Sequence, residues 1–104
     1  MVSVSLCMIV KNEEDVLKRC LESTAGLVDE IIIVDTGSTD RTREIAARFT
    51  EKVFDFPWQD DFAAARNESF SHASMDYCMW LDADDVLLEE DQTSFLDLKE
   101  SLDP

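Results

Sequence analysis

Three carboxylates follow one apolar run near the end of the sequence. Tyr77–Val86 has the sequence Y-C-M-W-L-D-A-D-D-V, which places Asp82, Asp84 and Asp85 directly after five largely apolar residues. Two like charges ~4 Å apart repel each other by about 4 kcal/mol at an effective dielectric constant of 20, so such a cluster stays open to water or binds a cation. Oxygen donors without His or Cys neighbours suit Mg²⁺, Mn²⁺ or Ca²⁺ rather than zinc. The pattern predicts a divalent-cation site, and a solvated acidic turn is the alternative.

A second polar cluster follows the apolar run Glu30–Val34. It has the sequence D-T-G-S-T-D and begins at Asp35, so a carboxylate again comes directly after a predicted buried strand. We expect Asp35 either to cap the turn before the next helix or to accept a hydrogen bond from a base or ribose hydroxyl. Gly37 adopts backbone conformations that other residues avoid, and it lets a ligand approach closely. Turn and cap formation alone also explain this cluster, so both interpretations stay open.

Arg66 interrupts an otherwise apolar side of a predicted helix, between Phe62 and Phe70. Its stem can cover the edge of a sheet while its guanidinium pairs with a nearby Asp. Alternatively, the planar guanidinium points into a binding crevice and contacts a nucleotide base or phosphate. The sequence supports both interpretations.

The elements that must position these side chains alternate along the sequence. Apolar runs rich in β-forming residues predict four strands, and apolar periodicity predicts a helix after each. The predicted strands are Val2–Val10, Glu30–Val34, Lys52–Phe56 and the apolar start of Tyr77–Val86. The first helix is expected to have Asn12 as its N-cap and to end at Gly26, and the second helix is expected to follow Asp40. The third helix should run from Asp60 or Asp61 to Ala73, and the fourth should span Glu89–Leu102. The predicted inward faces are Val16, Leu17, Cys20 and Leu21; Ile45, Ala46 and Phe49; Phe62, Arg66, Phe70 and Ala73; and Leu88, Phe95, Leu98 and Leu102.

This alternation is typical of a three-layer α/β/α fold with a mostly parallel, Rossmann-like sheet, for which we expect the strand order 3-2-1-4. In such sheets a ligand binds beyond the carboxyl ends of the strands, where the strand order reverses. The strand ends that meet there carry Lys11-Asn12 and the Asp82–Asp85 cluster, with Asp35 at the end of the neighbouring strand. The polar clusters are therefore expected to converge on one crevice.

Composition limits the possible partners of the chain. With 104 residues, 45% of them hydrophobic, we expect one domain over residues 1–104. The net charge of -15 disfavours nucleic acid and anionic lipid as partners. Three widely spaced cysteines without C-x-x-C spacing predict reduced buried thiols in a cytoplasmic protein. No run approaches the ~18 apolar residues of a membrane-spanning segment.

Four sequence blocks resemble the N-terminal half of family 2 glycosyltransferases. The blocks are M-I-V-K-N-E-E, I-I-V-D-T-G-S-T-D-R-T, D-D-F-A-A-A-R-N and M-W-L-D-A-D-D, in that family's order and spacing over essentially the whole chain. The resemblance implies half of a GT-A fold that binds a nucleotide-diphosphate sugar, most often a UDP-sugar. It also implies transfer of the sugar to an acceptor with inversion at the anomeric carbon.

The same resemblance implies roles for individual residues. Lys11, Asn12 and Glu13 would line the donor site, Asp35 would receive the base and Arg66 would contact the nucleotide. Asp82 would lie near the ribose and donor sugar, and Asp84 with Asp85 would hold Mg²⁺ or Mn²⁺ on the diphosphate.

Two departures from the family pattern limit what the resemblance implies. Thr36 stands where many members have a second Asp, so the base contact depends on Asp35. No residue matches the family's catalytic carboxylate, and the general base is expected beyond residue 104, with the acceptor-binding half. A donor-binding domain truncated in this way would have uncovered surfaces and is expected to self-associate.

Two other functions compete with glycosyl transfer. An apolar strand followed by D-x-D-x-V also resembles the haloacid-dehalogenase phosphatases, in which Asp82 would be the nucleophile and Asp84 the acid/base. That motif normally starts its domain, whereas here it stands near the end of the sequence. The other alternative is a nucleotide-binding or interaction module without turnover.

Overall fold

A computed structural model describes residues 2–58, 60–83 and 89–101, with Glu89 described in its backbone only. Strands and helices alternate along the chain as the sequence predicts. The elements are β1 (Val4–Val10), α1 (Leu17–Thr24), β2 (Glu30–Asp35), α2 (Thr42–Ala47), β3 (Val53–Asp55), α3 (Phe62–Ser71), β4 (Tyr77–Trp80) and α4 (Glu89–Ser101). Within these ranges, no helix is long and apolar enough to cross a membrane.

The four strands form one parallel sheet in the order β3-β2-β1-β4, which confirms the predicted order. Its register places Val10 opposite Asp35, and Asp35 opposite Asp55. All carboxyl ends of a parallel sheet lie at the same edge, so the loops that follow the strands meet there.

Helices cover both faces of the sheet. On one face, the core cluster joins Leu6, Met8, Ile31 and Ile33 of the strands to residues of α1 and α2. On the other face lies α3, where the Cys7 thiol approaches the Ser69 carbonyl oxygen at 3.9 Å. Because side chains alternate along a strand, Asp35 belongs to the same face as Ile31 and Ile33, under α1 and α2.

The inward face predicted for α3 is wrong. Phe62 and Phe70 are exposed, whereas Ala65 and Ser69 are buried. The helix packs against the sheet through these small side chains, and Phe62 and Phe70 lie on a more exposed side of the helix. Asp61 caps the helix as predicted, because its Oδ1 accepts a hydrogen bond from the backbone N–H of Ala64 at 3.1 Å.

The predicted N-cap of α1 is also wrong. The helix begins at Leu17 without a side-chain cap, and Asn12 lies well before it with a φ of 53°. The helix ends at Thr24, close to the predicted stop at Gly26. Glu13 takes the place of a cap, since its carbonyl oxygen accepts hydrogen bonds from the backbone N–H groups of Val16 and Leu17.

Strand β4 is less buried than its apolar sequence predicts. Tyr77 and Cys78 are exposed, and Met79 and Trp80 are half-buried. In the described residues β4 pairs with β1 and has no second neighbour, so one side of the strand is uncovered. Cys78 therefore departs from the predicted buried thiol.

The apolar seam predicted for α4 is wrong at Leu98, whereas its other described member, Phe95, is half-buried. Leu98 is 54% exposed, whereas Lys99 is buried. The Lys99 Nζ donates to Asp29 Oδ2 at 2.8 Å and to the Leu27 carbonyl oxygen at 3.1 Å. The hydrogen bond from Lys99 to the Asp29 carboxylate holds the pKa of Asp29 below its ordinary value. Leu88 and Leu102, the other ends of the seam, lie outside the described residues.

A buried carboxylate stands at the amino end of β2. Glu30 Oε1 accepts hydrogen bonds from Ser5 Oγ at 2.7 Å and from the Ser74 backbone N–H at 2.9 Å. Its Oε2 accepts from Ser74 Oγ and pairs with the Lys52 ammonium. Burial opposes the charged form, but these hydrogen bonds outweigh it and lower the pKa of Glu30 to about 2.

Candidate functional site

A second buried carboxylate stands at the opposite end of β2, at the carboxyl edge of the sheet. Asp35 is 2% exposed. Its Oδ1 accepts hydrogen bonds from the backbone N–H groups of Gly37 and Ser38, both at 2.8 Å. Its Oδ2 is buried and, among the described residues, has no hydrogen-bond partner. The predicted turn-capping role thus accounts for one oxygen of this carboxylate and leaves the other available to a ligand.

Asn12 connects the loops that follow β1 and β2. Its Oδ1 accepts a hydrogen bond from the backbone N–H of Thr39 at 2.8 Å, and its own backbone N–H donates to Ser38 Oγ at 2.9 Å. The left-handed backbone at Asn12, which Asn tolerates better than most residues, turns the chain toward the β2 loop. Lys11 is exposed beside it.

A second set of contacts fixes the same two loops. The backbone N–H of Glu13 donates to Thr42 Oγ1 at 2.7 Å, and that of Glu14 to Asp40 Oδ2 at 3.3 Å. Asp40 Oδ1 accepts from the backbone and hydroxyl of Thr42 at the start of α2. Desolvation opposes the charged form of Asp40, but these hydrogen bonds outweigh it and lower its pKa. The structure therefore brings Lys11, Asn12, Glu13, Asp35 and Gly37 together at one edge.

A cavity of about 290 Å³ opens between the carboxyl ends of β2 and β3. The segment after β3 forms part of the cavity wall. The backbone N–H of Phe56 in this segment donates to the Asp35 carbonyl oxygen at 2.8 Å. Gly37, with a φ of 126°, turns the chain at its rim in a conformation that L side chains rarely adopt. The cavity is lined by Asp35, Thr36, Gly37, Arg43, Asp55 and Pro57.

Arg43 and Asp55 were not among the predicted site residues. The Arg43 Nη2 donates to Asp55 Oδ2 at 2.6 Å across this cavity wall. Asp55 could have been inferred from its place at the end of a predicted strand next to the one that ends at Asp35. Arg43 carries no comparable signal, because only the packing of α2 against β3 brings it to the cavity.

Arg66 is held between two aromatic rings. Its Cζ lies 5.1 Å from the ring centroids of both Phe62 and Trp80, a cation–π arrangement. Trp80 also makes edge-to-face contacts with Phe62 and Phe70. Arg66 therefore lies at the end of β4, on the α3 side of the sheet, whereas Asp35 lies under α1 and α2.

In the sequence, the predicted metal-binding residues follow β4. Asp82 is exposed at the end of this strand, and the buried Ala83 joins the core cluster. Asp84 and Asp85 lie outside the described residues. Within the described ranges, no group of three or more His, Cys, Asp or Glu residues is close enough to hold a metal ion. The exposed side chain of Asp82 nevertheless offers carboxylate oxygens, which are the ligands that Mg²⁺ and Mn²⁺ prefer.

Comparison with known proteins identifies the family of the chain. Residues 5–103 match the model of glycosyl transferase family 2. The chain belongs to this family. A TPR repeat-containing protein of Synechococcus elongatus is 47% identical over 103 residues, which cover 99% of this chain and 25% of that protein. The SPbeta prophage-derived glycosyltransferase SunS of Bacillus subtilis is 32% identical over an alignment of 98 residues. The match covers 86% of this chain and 22% of that protein. The chain thus spans about a quarter of the length of these relatives.

Solved structures agree with this assignment. Mycobacterium tuberculosis glucosyl-3-phosphoglycerate synthase has a TM-score of 0.70 and 26% identity, covering 82% of this chain and 36% of that one. The same enzyme has been solved in complex with Mn²⁺ and UDP-glucose. Staphylococcus aureus TarS, at 21% identity and a TM-score of 0.70, supports the fold. The predicted GT-A type of fold and the predicted membership of glycosyltransferase family 2 are both confirmed.

Proposed function

We propose that this domain binds the nucleoside diphosphate of a UDP-sugar together with a divalent cation. The observation that carries the proposal is the Asp35 carboxylate, buried at the carboxyl edge with one oxygen that lacks a partner in the described residues. A buried acceptor without a donor is costly, and a ligand N–H that reaches it would relieve that cost.

The hydrogen bonding of Asp35 favours uracil over guanine. Uracil presents a single imide N–H between two carbonyl groups, whereas guanine presents an N–H and an adjacent amino group, which together need two acceptor oxygens. Because Gly37 and Ser38 already occupy Oδ1, the carboxylate offers only Oδ2. The structurally similar glucosyl-3-phosphoglycerate synthase, solved in complex with UDP-glucose, also supports uracil as the base.

The remaining predicted residues would surround the rest of the donor. In this proposal Asp82 lies near the ribose and the donor sugar, and Asp84 with Asp85 holds Mg²⁺ or Mn²⁺. The bound cation would supply Lewis-acid stabilisation to the departing diphosphate. Lys11, Asn12, Glu13 and Gly37 line the approach to Asp35, and Arg66 contacts the nucleotide from the α3 side, its guanidinium already oriented by Phe62 and Trp80.

The proposed activity of the whole protein is inverting transfer of the sugar to an acceptor. The general base and the acceptor-binding residues are proposed to lie outside residues 1–104, since these residues span only part of the relatives' length. Family membership favours this transferase over the phosphatase alternative.

Calorimetric titration of the chain with UDP and with GDP, with and without Mn²⁺, tests the proposal. We expect UDP to bind more tightly than GDP and Mn²⁺ to strengthen its binding. In Asp35→Asn, an amide N–H₂ would replace the acceptor oxygen, so UDP affinity should fall about 30-fold, the value of a hydrogen bond to a charged group. Asp91→Asn, an exposed change on α4, is the matched control and should leave the affinity unchanged. Equal binding of UDP by wild type and Asp35→Asn would contradict the proposal.

A further inference from the structure

The cavity beside Asp35 contains a second carboxylate whose charge is compensated differently. Asp35 and Asp55 are direct partners in the parallel register of β2 and β3, so their side chains leave the same face of the sheet. Neighbouring strands lie only about 4.8 Å apart, so the two carboxylates repel each other unless a cation lies between or beside them. Arg43 of α2 supplies that cation.

The guanidinium pairs with the more exposed of the two carboxylates. Its Nη2 donates to Asp55 Oδ2 at 2.6 Å, and the two side chains are 52% and 61% exposed. The buried Asp35 Oδ2 receives no hydrogen bond from it. The cavity wall therefore presents an acceptor that lacks a donor next to a guanidinium with five N–H groups, of which the Asp55 contact uses one.

This pair of groups matches one edge of a pyrimidine imide. In uracil the N–H that Asp35 would bind is flanked on each side by a carbonyl oxygen. A guanidinium beside the carboxylate would donate to one of those oxygens while the carboxylate accepts from the N–H. Asp35 Oδ2 is out of contact with solvent, so an incoming base must displace part of the wall. Arg43 is the long, exposed side chain of that wall, whereas Gly37 and Pro57, which are exposed as well, have no long side chain to move.

We infer that Arg43 is a specificity residue that donates a hydrogen bond to a carbonyl oxygen of the base, and that Asp55 positions it. This assignment rests on the nucleotide site proposed above. Neither residue touches the diphosphate in this arrangement, because both lie at the β2–β3 side of the carboxyl edge and the predicted metal-binding residues follow β4. The inference thus predicts an effect on the base alone.

Titration of Arg43→Gln with UDP and with inorganic pyrophosphate, each with Mn²⁺, tests the inference. We expect UDP to bind about tenfold more weakly and pyrophosphate to bind as it does to wild type. Arg48→Gln is the matched control, because Arg48 is equally exposed beside the same helix, pairs with Glu44 and lies outside the cavity. Its affinity for both ligands should be unchanged.

A loss of affinity for both ligands in Arg43→Gln would show that Arg43 contacts the diphosphate and would overturn the inference. Unchanged UDP affinity would overturn it as well. If wild type binds pyrophosphate and UDP equally, the proposed base site itself fails and the role of Arg43 fails with it.

The positioning role of Asp55 has its own measurement. Asp55→Asn should weaken UDP binding about threefold in the wild-type background and have no effect in the Arg43→Gln background, since the residue acts through Arg43. Additive losses in the double variant would contradict this role. All variants should keep the wild-type melting temperature, because the pair is exposed and such pairs contribute little to stability.

Discussion

Strand β2 begins and ends with a buried carboxylate, and the two are treated in opposite ways. Glu30, at the amino end, has both oxygens bonded, to two serines and to the Lys52 ammonium. Asp35, at the carboxyl end, has one oxygen bonded to its own loop and one without a partner in the described residues. The same strand thus contains one carboxylate that stabilises the fold and one whose hydrogen bonding is incomplete. This difference indicates which edge of the sheet is built for a ligand.

Removing the charge of Glu30 should produce the largest loss of stability. In Glu30→Gln, an amide N–H₂ would face the Lys52 ammonium, so a donor would meet a donor. We expect the free energy of unfolding to fall by about 3 kcal/mol. Chemical denaturation at pH 7 measures this, with Glu51→Gln, an exposed neighbour, as the control. A loss as small as that of the control would mean that the Glu30 cluster does not stabilise the fold.

The acid stability of the chain should depend on the same residue. The pKa of Glu30 falls from an ordinary value of 4.5 to about 2 in the folded state. A lowered pKa contributes stability above pH 4.5, and that contribution is lost as the pH falls from 4.5 toward 2. Denaturation curves of wild type should therefore decline over this window more steeply than those of Glu30→Gln. Parallel curves for the two proteins would contradict the assignment.

Substitutions of Asn12, at the carboxyl edge, should cause a loss of stability of intermediate size. In Asn12→Ala the hydrogen bond to Thr39 is lost while the left-handed backbone persists, at a total cost of about 1.5 kcal/mol. Asn12→Gly also loses the hydrogen bond but relieves the backbone, so it should cost less. Thermal unfolding of both variants ranks them. If the glycine variant is the less stable, the positive φ at Asn12 is not a source of strain.

Neutralising Asp35 should have the smallest effect on stability. Asp35→Asn keeps an oxygen for Gly37 and Ser38, so we expect a change below about 1 kcal/mol, well under that of Glu30→Gln. The denaturant midpoint of this variant, measured without ligand, makes the comparison with Glu30 direct. A loss as large as that of Glu30→Gln would make Asp35 a structural residue and remove the contrast between the two edges.

The sequence predicted the sheet because its strands are apolar, separate and alternate with helices. It also predicted the position of Asp35, since a carboxylate directly after a buried strand must lie at the carboxyl edge of a parallel sheet. Both results follow from patterns within a few residues. The strand order inferred from those patterns correctly brought Lys11, Asn12, Glu13, Asp35 and Gly37 to the same edge.

The failures have a common physical cause, because each depends on contacts between distant segments. Asn12 has the residue type of a helix cap, but its Oδ1 is taken by Thr39 from another loop. The apolar periodicity of α3 indicates its aromatic side, yet the sheet accommodates its small residues instead. Arg43 enters the site only through the packing of α2 against β3. Such partners are set by tertiary structure, and local sequence carries no record of them.

The uneven exposure of the cysteines has a practical consequence. Cys7 and Cys20 are buried, and burial raises the pKa of the Cys7 thiol to about 12, which suppresses its reactive thiolate form. Cys78 is exposed on β4, two residues before the Trp80 ring that contacts Arg66. A maleimide dye should therefore attach selectively at Cys78 in the native chain. It would place a fluorescent reporter at the start of β4, level with Glu30 and away from the carboxyl edge, without any engineered residue.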